Sequence, residues 1–570
     1  MTTRMILVSM LWGMVAALAL PWAGFNHFIY NLTPWTFPVY ALAVYALYRS
    51  VFQPYPTDQN RPSSPRGRGS GIITPKAWLS IFFRPDPRLR GDDDSSSVTE
   101  RFCHARQSIF LATFAWAFGY YAVGLSWVGN ALLIDGNPYA WAWPLAVVGL
   151  PLLLAPFLAL PMAIVAPIIA RGPVAARPIA FAALWALAEM GRGYLFTGFP
   201  WNLPAYYWSE TLVIFQVLSL VGPYGLSFLT ILWAVMVGQL LLDRHAVPRF
   251  AGMVAVATLV LGLTYGTVRL LPSESSTHPT TSIVLVQASI PQSEKWDGAR
   301  QSAHLNLHLD LSRQAAYGWN DRQPAMIVWP ETALPPHFVH DPGVAAAVAG
   351  MLGAYPPGSG LVTGALVANQ TPEGKTGYYN SILGFNPDGT HQILYHKSHL
   401  VPFGEYMPFQ RLIPIGPIAQ FENLTPGPGP TRVAVGSFPA FRPLVCYEII
   451  FPAMTWHAQA DEQFILNVTN DSWYGHSSGP YQHLAQARAR AIERGLPVVR
   501  AAGNGISAGY DPRGRLLGQI SYDQIGTITI NVALPHKELR PFYLFVTDWG
   551  AFFALLFILI SGLWHKLYNR

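Results

Sequence analysis

The sequence predicts a polytopic membrane protein carrying one extramembrane α/β domain, on three observations. The first is that 51% of the 570 residues are hydrophobic and 12% charged, a balance too apolar for an ordinary soluble protein. The second is that the apolar character, with a mean hydropathy of +0.27, is unevenly spread: long runs fill residues 1–275, leave 276–540 near globular composition, and return in 541–570. The third is that short β-rich runs alternate with helical ones inside 276–540, the pattern of an α/β domain large enough for its own core. The basic residues behind the net charge of +6 are scattered, with no aromatic-interleaved stripe, so nucleic acid is not an expected partner.

Taken in order, the first apolar run, 5–23, stands behind Arg4, and a second follows at 36–52. A signal peptide is the competing reading of the first run. No convincing small-residue cleavage site precedes Asn26 and a second span follows at once, so both are expected as retained helices. Residues 53–106 are rich in Pro, Ser, Gly and Arg, include Asp92-Asp93-Asp94-Ser95-Ser96-Ser97, and hold no period, so a long polar loop with an incidental thiol at Cys103 is expected. Further runs at 107–127, 141–170, 178–197, 212–242, 249–271 and 542–564 are each long enough to cross a hydrocarbon core of about 30 Å, which makes about eight spans. Arg4, the loop arginines, Arg171, Arg177, Arg244, Arg249, Lys566 and Arg570 fall on one side if the spans alternate, whereas 24–35, 128–140 and 198–211 contain no Lys or Arg. The positive-inside rule then puts both termini in the cytoplasm and the 276–540 domain on the far side. Glu189 and Arg192, three apart on one helix face, are either a structural clamp or a functional pair.

In the extramembrane domain the expected strands are 282–287, 325–329, 360–367, 381–385, 392–395, 432–435, 443–446, 464–468, 498–502, 506–510 and 527–532. Helices are expected at 298–317, 342–354, 450–459 and 479–494. Three strand ends carry chemistry: Trp329-Pro330-Glu331, His396-Lys397 with Glu405 eight residues on, and Val445-Cys446-Tyr447-Glu448. Singly, a strand-end Glu or Lys reads as a solvated charge and a free Cys as a small buried apolar residue. Together they supply a base, a cation and a nucleophile where a sheet brings side chains to one edge. His396 and His399 are not spaced as a metal site, and no cofactor is expected.

These three stretches resemble the Glu, Lys and Cys triad of the nitrilase (carbon-nitrogen hydrolase) superfamily, whose fold is an α-β-β-α sandwich. With about eight spans around such a domain, the chain resembles the apolipoprotein N-acyltransferase family of Gram-negative bacteria. Further matching stretches are Gly198-Phe199-Pro200-Trp201, Ile290-Pro291-Gln292 with Lys295-Trp296, Val401-Pro402-Phe403-Gly404-Glu405 and Asn470-Asp471-Ser472-Trp473-Tyr474-Gly475. The resemblance implies Glu331 as general base, Lys397 as the cation beside the reaction centre and Cys446 as nucleophile, with the Tyr447 N–H helping to hold an oxyanion. Glu405 and Glu448 are implied as supporting carboxylates that position Lys397 or a substrate amine, and Trp296, Tyr447 and Trp473 as residues near the acyl or lipid site; core packing is an equal alternative for Trp296. The implied partners are a phospholipid acyl donor, phosphatidylethanolamine, and a diacylglyceryl apolipoprotein acceptor, met by a monomer in the bacterial inner membrane with its domain in the periplasm. A membrane-tethered amidase using water as acceptor is the rival reading, and a transporter or lipid receptor that has lost catalysis a more distant one.

Overall fold

A computed structural model of the chain describes residues 3–18, 20, 33–52, 98–244, 247–272, 280–319, 323–370, 374, 376–410, 423–456, 461–534 and 541–564. The apolar half is helical: α1 (Thr3–Ala17), α2 (Thr33–Phe52), α3 (Val98–Gly124), α4 (Leu150–Ile169), α5 (Arg177–Tyr194), α6 (Leu218–Leu242) and α7 (Arg249–Leu270). By length and composition, five helices among the described residues can cross a membrane: Ala140–Ile169, Val174–Thr197, Leu218–Leu242, Arg249–Leu270 and Tyr543–Ser561. A sixth is added if the bent pair His104–Gly124 and Ser126–Leu133 is one span. The first helix, Thr3–Ala17, is a shorter apolar helix of 15 residues. Of the expected polar loop, 53–97 lies outside the described residues, and 98–106 is the start of α3 instead. Glu100, Arg101 and Arg106 are good helix formers, so charge alone does not end the helix that the apolar run continues.

The domain is two stacked sheets. Strands β1 (Thr280–Gln287), β2 (Ala325–Val328), β3 (Gly360–Gln370), β4 (Thr376–Phe385), β5 (His391–His396) and β11 (Gly526–Ala533) form one, in the order β11-β1-β2-β3-β4-β5. Strands β6 (Phe441–Val445), β7 (Phe464–Thr469), β8 (Val498–Ala502), β9 (Ser507–Tyr510) and β10 (Leu516–Ile520) form the other, in the order β10-β9-β8-β7-β6. Between the sheets lies an apolar core that includes Leu285, Val328, Ile382, Val445, Leu466 and Val499. Each such side chain, fully buried, contributes about 1.5–3 kcal/mol. Helices α8 (Gln301–Tyr317) and α9 (Pro342–Leu352) cover the outer face of the first sheet, and α10 (Gly479–Arg494) covers the second, giving the α-β-β-α sandwich.

Two local expectations fail and one strand was not foreseen. Residues 432–435 form no strand, only an isolated bridge from Val433 to Phe441, because Pro430 and the polar residues around it leave too short a run to extend a ladder. In place of a helix at 450–459, short 3-10 turns run over Cys446–Ile450 and Pro452–Thr455, Pro452 having no N–H to give a helix interior, while 457–460 lies outside the described residues. Strand β10 went unnoticed in the sequence; its Leu516 and Leu517 are exposed, so it lacks the buried alternation that marks a strand.

Helix α10 ties the domain to the spans. Its small residues Ala487, Ala489 and Ala491 share one core with Leu444 and Ile465 of the sheet and with α5 and α6. Its polar residues are buried too: Arg490 pairs with Glu493 at 2.9 Å and donates to the Tyr206 hydroxyl at 3.0 Å. The final helix, α11 (Tyr543–Trp564), packs on α5 and α6, and the Tyr194 hydroxyl donates to its buried Asp548 at 2.6 Å.

Candidate active site

The site is built where strand ends converge. β2 runs parallel to β3, and β4 is antiparallel to both β3 and β5, so β5 runs the same way as β2 and both end on one edge. That edge carries Glu331, after Trp329-Pro330, and Lys397, immediately after β5. Across the sandwich β6 ends on Cys446. Strand β3 passes so close beneath Glu331 that a Cβ on Gly364 would lie 2.5 Å from the Glu331 Cα, so only glycine fits there.

Lys397 is 1% exposed and lies between two carboxylates: its Nζ is 2.8 Å from Glu405 Oε1 and 3.8 Å from Glu331 Oε1. Asn380, on β4, donates to both carboxylates, at 2.7 Å to Glu331 and 3.3 Å to Glu405. Glu405 is further fixed by the Val401 N–H at 2.8 Å. Burial works against the Lys397 charge, but Glu405 and then Glu331 outweigh it and raise its pKa, so the ammonium is kept. Burial raises the Glu331 pKa, Lys397 opposing and Glu405 adding. One oxygen of Glu331, Oε2, is buried with no hydrogen-bond partner among the described residues.

Cys446 has φ 49°, the left-handed region that a residue with a Cβ enters only under restraint, at about 1–3 kcal/mol. Glu448 supplies part of that restraint: its Oε2 accepts from the Val445 N–H at 2.8 Å. Its Oε1 accepts from Tyr395 Oη at 2.7 Å and from the Ser398 and His399 N–H groups at 2.8 and 3.0 Å. Glu448 therefore does not touch Lys397; it staples the segment after Lys397 to the turn that carries the sulfur. Behind the turn, His483 Nε2 lies 3.2 Å from the Cys446 carbonyl oxygen and His483 Nδ1 3.0 Å from Asp471, which Arg500 meets at 2.5 Å. Although burial opposes it, Arg500 and then His483 hold Asp471 down to about 2.

Cys446 is 7% exposed, and burial pushes its thiol pKa up to about 12, with Glu331 adding and Lys397 opposing. The resting group is a thiol, so a base must take its proton before it can attack. Of the other candidates, Tyr447 is buried and points its hydroxyl at the Gly198 carbonyl at 3.2 Å, and Trp473 is half-buried in the turn Asp471–Tyr474. Trp296 packs against Leu366, Leu400 and Leu424 and lines a groove with Lys295, His304, His308, Glu331 and Asn470. Cys446 is not among the walls of that groove, so it approaches the base rather than the sulfur.

Two groups escaped the sequence reading. Asn380 stands one residue before the expected strand 381–385, while Lys295 was noticed only beside Trp296. Lys295 donates to the Glu331 carbonyl at 3.0 Å, and desolvation lowers its pKa to about 8 despite the charges of Glu331 and Cys446. In the unfolded chain this lysine keeps its proton up to its ordinary range near 10.5, so between about 8 and 10.5 the unfolded state holds more protons and raising the pH favours the fold. Melting temperatures measured from pH 8 to pH 10 are expected to show this gain in the unaltered protein and lose it in Lys295→Met; parallel curves would refute the assignment.

The comparisons agree with this architecture. Residues 283–538 match the carbon-nitrogen hydrolase family model, and residues 96–236 match that of the apolipoprotein N-acyltransferase N-terminal domain. The chain is similar to an apolipoprotein N-acyltransferase of Brucella melitensis, 36% identical over 82% of this chain and 87% of that one. It is also similar to those of Rhodopseudomonas palustris, at 36% over 75% and 80%, and Rickettsia typhi, at 34% over 80% and 88%.

Proposed function

Because the chain belongs to the apolipoprotein N-acyltransferase family, we propose that Cys446 carries the acyl group between the two substrates as a thioester, with Glu331 and Lys397 as its base and its cation. The protein is an enzyme of bacterial membranes that N-acylates lipoproteins at the expense of a phospholipid. The observation that carries the residue assignment is the cluster of Lys397 with Glu331 and Glu405, of which Glu331 and Lys397 act on the buried thiol of Cys446.

In the first half-reaction Glu331 takes the thiol proton, and the sulfur attacks the ester carbonyl carbon of the phospholipid. Negative charge then develops on the former carbonyl oxygen, where the Lys397 ammonium and the Tyr447 N–H receive it; one such donor is commonly worth about 3 kcal/mol of barrier. Collapse breaks the ester C–O bond, and the leaving alkoxide takes the proton from Glu331 and departs as a lysophospholipid. In the second, the neutral amino group of a diacylglyceryl-cysteine attacks the thioester, Glu331 accepts its proton, the C–S bond breaks and the thiol is restored. Burial suits Glu331 to both directions, because a raised pKa lets a carboxyl give back the proton it took. Confining donor and acceptor to one bilayer removes much of the cost of encounter. We take phosphatidylethanolamine as the donor, a monomer as the working unit, both termini as cytoplasmic and the catalytic domain as periplasmic; the Lys/Arg-free loops 128–140 and 198–211 support that orientation.

Intact-protein mass spectrometry after exposure to phosphatidylethanolamine tests this reading. One acyl adduct, labile to hydroxylamine, is expected, and adding a diacylated lipopeptide should discharge it to N-acylated peptide. Release of free fatty acid alone would instead identify a hydrolase.

A further inference from the structure

Resting on Cys446 as nucleophile, we propose that Glu189 and Arg192, an ion pair inside a membrane helix, are positioning residues that set the turn carrying the sulfur. Both are buried, at 3% and 1% exposure, on α5. Arg192 Nε donates to Glu189 Oε2 at 2.8 Å, and Trp185 Nε1 steadies the other carboxylate oxygen at 3.3 Å. The guanidinium also meets Glu189 Oε2 through its Nη2. It donates to two main-chain carbonyls beyond the helix, Phe199 and, at 2.8 Å, Trp201.

Those carbonyls belong to a turn that would not keep its shape unaided. Phe196, Thr197 and Asn202 have φ of 55°, 79° and 55°, a region that costs a side-chain-bearing residue about 1–3 kcal/mol each. Gly198, at φ 82°, sits where a Cβ would be 2.1 Å from the Gly193 carbonyl oxygen. A planar fork that bonds two carbonyls at once is what holds such a backbone, and a lysine cannot copy it.

The turn in turn touches neighbours of the nucleophile on two sides. The Gly198 carbonyl accepts from the Tyr447 hydroxyl at 3.2 Å, and the Phe199 ring stacks on the Tyr447 ring with centroids 6.4 Å apart. Trp201 lies 5.4 Å from the His483 ring, whose Nε2 is 3.2 Å from the Cys446 carbonyl oxygen. Trp201 Nε1 also donates to Gln482 at 2.8 Å, one residue before that histidine. Helix α5 thus reaches residues 446 and 447 through two short contact chains, and neither passes through solvent.

The test uses the full-length chain in phospholipid nanodiscs and reads the single-turnover rate of Cys446 acylation as donor concentration is varied. Arg192→Lys keeps the charge beside Glu189 but loses the fork. It is expected to lower the limiting acylation rate about ten- to a hundredfold while leaving the half-saturating donor concentration unchanged. Tyr447→Phe, which removes only the bond to Gly198, is expected to lower the same rate severalfold, and the double variant to be no slower than Arg192→Lys alone, since both act through one turn. An Arg192→Lys protein that acylates at the unaltered rate would show that charge suffices and overturn the proposal. Should that variant fail to fold, unaltered acylation in Tyr447→Phe overturns it equally. Absence of any Cys446 adduct in the unaltered chain would remove the nucleophile itself, a result distinct from both.

Discussion

Cys446→Ser is expected to abolish the hydroxylamine-labile adduct and to lower lipoprotein N-acylation by at least about 10³-fold, with the fold intact. The reasoning starts from burial. The thiol is already pushed up to about 12, and a hydroxyl, whose proton is harder still to remove, asks more of Glu331 than that carboxylate can supply. Its surroundings would survive the change. The restraints on the turn come from Glu448 bonding the Val445 N–H and from His483 beside the residue 446 carbonyl, neither of which involves the sulfur. Intact-protein mass spectrometry and a melting curve on the same sample check both halves, and an adduct persisting in Cys446→Ser would move the acyl carrier elsewhere.

Lys397→Met should cost both chemistry and stability. Removing the ammonium leaves Glu331 and Glu405, 5% and 6% exposed, facing one another with only Asn380 between them. Breaking a buried pair in this way costs about 3–5 kcal/mol, because the partner charges remain without compensation. The deficit has a pH signature. Without Lys397 the raised pKa of Glu331 in the folded state rises further, so the loss is full above it and shrinks as the pH falls and that carboxylate takes a proton. Acylation should fall at least about a hundredfold through loss of oxyanion stabilisation. The double variant Lys397→Met, Glu405→Gln separates the two effects: stability should return in large part while acylation stays at the lowered rate. A double variant that recovers the rate would mean that Lys397 is a structural cation only.

The same contrast between local and distant contacts explains which features were legible beforehand. Proline before Glu331, lysine directly after β5 and cysteine directly after β6 are signals within a few residues, so the three strand ends stood out. The part played by Glu448 did not, since four of its hydrogen bonds come from residues 49 to 53 positions away. Helix α10 was visible by its period, but its burial on both sides was not. Gln482, His483, Arg490 and Glu493 are polar residue types that nonetheless lie buried in the folded chain.

From the chain of letters alone came the membrane-spanning half, the α/β domain and the three strand-end side chains proposed for the chemistry, because hydropathy, period and strand-end residue type are properties of short segments. What only the packed molecule decided is which groups face one another: Lys397 closer to Glu405 than to Glu331, Asn380 shared by both carboxylates, and an arginine of a membrane helix bonded to the turn that meets Tyr447. Such pairings join residues far apart along the chain, and their energies exist only once the sheets and helices have brought those residues within a hydrogen bond's length.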